Sequence, residues 1–91
     1  MSSYKEAFSK LNEWRRLNVV LKLTMLTGEE KPQTLFVQIS ALDEDSLQVG
    51  FTERGKRYPK VLLLSDASFD VGQRVLEVKR SATDILMFAS P

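Results

Sequence analysis

Apolar residues recur at three- and four-residue intervals at the start of the chain and at every second position after it. Tyr4, Ala7, Phe8, Leu11, Trp14 (or Arg15) and Leu17 form one stripe, while Lys5, Lys10, Glu13 and Arg16 take the other face. That spacing predicts an amphipathic helix over about residues 3–17. Ser3 and Glu6 stand at capping-box spacing at its start, and Asn18 is a plausible stop. From Val19 the period is two. Val19, Leu21, Leu23 and Met25 alternate with Val20, Lys22, Thr24 and Leu26, as a half-buried strand requires.

Four further strands are expected. The polar turn Thr27–Gln33 leads into a strand with Leu35, Val37 and Ile39 on one side, and the shift at Ala41-Leu42 predicts a bulge. After Asp43–Ser46, Leu47, Val49 and Phe51 form the third strand, in which Gly50 marks a sharp curve or a close backbone approach. Gly55 supplies the next hairpin turn. The fourth strand, about 57–64, contains Pro59 and so belongs at an edge or begins with a break. Residues 65–72 read as a loop with room for one helical turn, and 74–79 as the fifth strand. The apolar tail 81–91, with Ile85–Phe88, fits either a last strand or a short capped helix. The expected fold is mainly β: one domain over residues 1–91, an N-terminal helix and a five-stranded, strongly bent small barrel over about 19–80.

Composition removes most reaction chemistry. There is no cysteine and no histidine, so thiolate nucleophiles, disulfides, imidazole ligands and Ser–His–acid triads are all excluded. No spacing of the remaining acids, lysines or hydroxyls proposes a reaction centre, and the expectation is a non-enzyme without cofactor or metal. Thirteen Lys and Arg against twelve Asp and Glu give a net charge of +1, which does not indicate a strongly basic domain. The N-terminus lacks the pattern of a secretory signal and no apolar run approaches membrane length, so the cytoplasm is the expected location.

The near-zero net charge conceals local clusters. Arg54, Lys56, Arg57 and Lys60 surround the third hairpin with Tyr58 among them, a combination that suits phosphate contacts and base stacking. Arg15, Arg16, Lys79 and Arg80 could extend this patch if the fold brings them near it. A solvated hairpin that blocks edge pairing would use the same residue types. Asp43, Glu44 and Asp45, and also Glu29 and Glu30, read as polar turns, because adjacent acids rarely point at one ion.

The order of elements over about residues 4–80 resembles the Sm-like fold of Sm proteins, LSm proteins and the bacterial host-factor RNA chaperone, an SH3-like small barrel. Val19–Leu26, Thr27-Gly28-Glu29 and a strand ending in Leu42-Asp43 are similar to that family's first motif, with Asp43 in the place of its aspartate. The departures are specific. Val37 stands where the family usually has glycine, and Glu44, Asp45 and Ser46 stand where an asparagine is usual. Gly72 and Arg74 do not form the usual Arg-Gly pair. The family's uridine pocket thus lacks its parts here. The resemblance implies single-stranded RNA as a candidate partner and homo-oligomers built through sheet edges. Arg54-x-x-Arg57 and Asp66-x-Ser68-x-x-x-Gly72 are also similar to the arginine and Asp/Asn-x-Ser-x-x-Gly motifs of PilZ domains, which bind cyclic dinucleotides, with one residue too many before the glycine.

Overall fold

A computed structural model describes residues 4–29, 31–43, 45, 48–53 and 67–91, together with the backbone course of 59–63. The helix α1 spans Tyr4–Leu17. Its stripe resolves in favour of Trp14: Ala7, Phe8, Leu11 and Trp14 are buried, while Arg15 is exposed. Asn18 ends it in the left-handed region at φ 54°. The Asn18 amide donates to the Arg15 carbonyl at 3.2 Å and the Val19 amide to the Trp14 carbonyl at 3.1 Å, the bond pattern of a Schellman cap. The Ser3 half of the expected capping box lies outside the described residues.

Among the described residues seven strands follow rather than five: β1 (Leu21–Thr27), β2 (Gln33–Asp43), β3 (Gln48–Glu53), β4 (Pro59–Leu63), β5 (Ser68–Val71), β6 (Val75–Ser81) and β7 (Asp84–Ala89). The two additional strands correct one reading and settle another. Residues 68–71 are a strand and not a helical turn, because Phe69 is drawn into the core while Ser68 and Asp70 face out. The tail is a strand and not a helix: Leu86 and Phe88 are buried in strict alternation. The sheet therefore runs to Ala89, beyond the expected limit near residue 80. The predicted irregularity in the second strand appears as a register shift between Ile39 and Ala41. Gly50 is buried beside it, where an added Cβ would sit 3.3 Å from the Ala41 Cβ.

The strand order is β4-β3-β2-β1-β7-β6-β5, antiparallel throughout. Two meanders, β1–β4 and β5–β7, are joined where β7 pairs with β1. Among the described residues no ladder joins the edge strands β4 and β5, so the sheet is open by hydrogen bonding. It cannot be flat. Six inter-strand steps of about 4.8 Å would hold flat edges about 29 Å apart. Leu63 and Ser68 are five residues apart in sequence, a reach of at most about 18 Å. The sheet must curl, and α1, packed against both β2 and β5, spans the concave side.

One inward row runs Leu35–Leu23–Phe88–Leu76–Val71 across five strands. Leu23, Phe88 and Leu76 in it are fully buried and share one core with the α1 stripe. Tyr4 packs against Phe8 with tilted rings whose centres lie 4.6 Å apart and approaches Phe69 at 6.1 Å, which ties the start of α1 to β5. Lys10 holds the other flank: its Nζ donates to the Gln73 carbonyl at 2.6 Å and lies 5.5 Å from the Trp14 ring centre. No helix among the described residues is long and apolar enough to cross a membrane.

Candidate nucleic-acid interface

Of the basic hairpin, Arg54, Lys56, Arg57 and Tyr58 lie outside the described residues, and Lys60 is placed by its backbone, paired with Phe51. The root of the hairpin is fixed by its ladders. Thr52 pairs with Pro59 on one side and Gln38 on the other, and Val37 pairs with Glu53, the residue before Arg54. Pro59 thus begins an edge strand, the place in a sheet where proline is tolerated.

The same register locates the end of α1. The Gln38 side-chain amide donates to the Asn18 carbonyl at 3.2 Å. Gln38 stands two ladder steps from Pro59, about 10 Å. The end of α1 at Asn18 is thereby tied to Gln38, the partner of Thr52, which in turn pairs with Pro59. Lys79 and Arg80 lie on β6, where Lys79 pairs with Ser68 of β5 and Arg80 forms an ion pair with Asp84 at 2.8 Å.

The acidic turn at 43–45 sits at the far end of the β2–β3 hairpin. Asp43 pairs with Gln48 and Val37 with Glu53, a separation of six residues or about 20 Å along the strand. That exceeds the Debye length of about 8 Å at physiological ionic strength, so these acids do not neutralise the basic end in solution. Asp43 instead organises its own turn, its Oδ1 accepting from the Asp45 amide at 3.1 Å. Glu29, in the β1–β2 turn, shares the basic end, with Lys31 two residues on. Among the described residues no cluster of acids is arranged to hold a metal ion.

A groove runs along α1. Lys5, Ser9, Asn12 and Arg15 line it, over Phe8 and Leu42, and its volume is about 450 Å³. The polar residues follow one another at intervals of four, three and three, which keeps them on one helix face. Ten residues separate the two cations, about 15 Å of helix. The Arg15 guanidinium donates to Asn12 Oδ1 at 2.9 Å, which directs it along the groove. A cation, a hydroxyl, an amide and a second cation in line can contact an extended polyanion at several points. The alternation of apolar and polar positions did not reveal this groove; the stripe at residues 5, 9, 12 and 15 is its only sequence signal.

Compared with protein families, curated proteins and solved structures, the chain matches none.

Proposed function

We propose that this chain is a small, non-enzymatic Sm-like binding module, a bent barrel that takes single-stranded RNA on the hairpin carrying Arg54, Lys56, Arg57, Tyr58 and Lys60. The observation that carries the reading is the Gln38–Asn18 bond, which ties the end of α1 to the β2 position one ladder step from Thr52, at the described root of that hairpin. Along β2 the acidic β2–β3 turn at Asp43 lies six residues from Val37, the partner of Glu53 at the root of the hairpin. Lysines and arginines supply sequence-independent phosphate contacts, and Tyr58 offers a ring for a base. The absence of cysteine and histidine supports a binding role over a catalytic one.

Titration of labelled oligo-U and oligo-A at low salt tests it. Binding is expected to weaken linearly in the logarithm of salt concentration and to be lost in Arg54→Ala/Arg57→Ala. No binding at tens of micromolar overturns the reading. Thermal shift with cyclic dinucleotides tests the PilZ-like alternative on the same sample, since a bound ligand raises the melting temperature by mass action.

A second reading is homo-oligomerisation, favoured by the two edge strands. β4 and β5 each present one unpaired side among the described residues, and edges of this kind pair with other chains. Light scattering after size exclusion tests it: a multiple of the 10.4 kDa chain mass is expected, and a monomer across micromolar concentrations overturns it. A module of either kind would work in the cytoplasm.

A further inference from the structure

The outer face of β2 carries Thr34, Gln38 and Ser40, with one aromatic among them, Phe36. Phe36 is 51% exposed. Its cross-strand partner is Lys22, whose other partner is Ala89. Val20, Ser90 and Pro91 complete a shallow depression of about 250 Å³ around the ring and the lysine stem. Its walls are almost wholly apolar, and Lys22 is the one charged residue lining it. Lys22 makes no ion pair among the described residues.

We propose that this depression is a stacking platform for a base of single-stranded RNA, with Phe36 as the ring and Lys22 as the phosphate contact. The inference rests on the RNA-binding reading and extends it from the hairpin to the sheet face. Three observations select this occupant. The first is charge: the immediate cross-strand and same-face neighbours of Phe36 on β1 and β2 are Lys22, Thr34 and Gln38, with no carboxylate among them. The second is continuity. Val37, next to Phe36, pairs with Glu53, and the basic segment begins one residue later, about 3.8 Å along the chain. The third is area. Phe36 and Val20 together expose on the order of 200 Å² of apolar side chain, far below the roughly 800 Å² per partner of a stable protein interface. A single flat base fits that scale, because stacking needs one ring face and tolerates any base.

Phe36→Ala is expected to weaken oligo-U binding about 5- to 150-fold, the range for loss of one base–aromatic stack, while Phe36→Tyr keeps it. Phe36→Trp gives a second readout: its exposed indole is expected to be quenched on adding oligo-U, against a constant signal from Trp14, which is 3% exposed. Binding that is lost in Arg54→Ala/Arg57→Ala but unchanged in Phe36→Ala, with no quenching in Phe36→Trp, overturns the platform and leaves the hairpin reading standing. Absence of binding by the unaltered protein overturns both. A fall in oligomeric mass in Phe36→Ala, with RNA affinity unchanged, makes the face a contact between copies and also overturns the platform.

Discussion

Replacing Phe88 with alanine removes the ring at the centre of the row Leu35–Leu23–Phe88–Leu76–Val71. Phe88 is fully buried, on the strand that joins the two meanders. Truncating a buried phenylalanine costs about 3–5 kcal/mol, the lost transfer energy plus the cavity. A chain of 91 residues has a total stability of about 5–14 kcal/mol. The variant should therefore lose at least about a fifth of it, with a melting temperature lower by about 12–40 °C. Phe36→Ala is the control. Its ring is half exposed, so the same change on the outer face should cost only about 1 kcal/mol. Urea unfolding followed by Trp14 fluorescence measures both, since Trp14 is the sole tryptophan and is buried in the same core. Equal costs at the two positions would refute the assignment of sheet faces. A cost below about 1 kcal/mol at Phe88 would refute the place of β7 between β1 and β6.

The remaining predictions concern local geometry. An added Cβ at Gly72 would lie 2.9 Å from the Val75 Cγ1, so Gly72→Ala should destabilise by about 1–3 kcal/mol, and Val75→Ala should relieve part of that in a double-mutant cycle. Asp70 and Glu77 face each other across β5–β6 on the outer surface; Glu77→Lys should stabilise by about 0.2–1 kcal/mol in thermal melts, more at low salt than at high. Asn18 holds the left-handed cap of α1, so Asn18→Ala should cost about 1 kcal/mol and Asn18→Gly should not, judged by urea midpoints.

Much of this fold is legible from periodicity. The helix limits, the first four strands, the bulge after Ile39 and the edge position of Pro59 all follow from spacing and from the chemistry of single residues. The second meander is harder to read. Residues 68–71 form a strand of four, too short for alternation to stand out from a loop, and only burial of Phe69 reveals it. Residues 85–89 are apolar on both faces, because Ile85 and Met87 on the outer side are half-buried as well. Such a run has no period and fits a helix or a strand equally well until a partner is known. The count of five strands therefore omits the two whose identity depends on tertiary pairing.

The candidate site divides in the same way. The basic hairpin stands out as a run of like charges, but the tie between the end of α1 and β2 depends on one side-chain bond across twenty residues, from Gln38 to Asn18. The exposure of Phe36 is also a tertiary fact. In sequence it alternates with Leu35 and Val37 as one more strand residue, and only the register with Lys22 and Ala89 shows what surrounds it.

The claim that this module binds single-stranded RNA at the basic end of its sheet is tested most directly by titrating unlabelled oligo-U into isotope-labelled protein and following amide shifts by nuclear magnetic resonance. The account predicts salt-sensitive shifts concentrated at residues 53–60, in the last turn of α1 and at Lys22 and Phe36, with Asp43, Asp45 and the β6–β7 turn unmoved. No shift at low salt, or shifts centred on the acidic turn at 43–45, would contradict it.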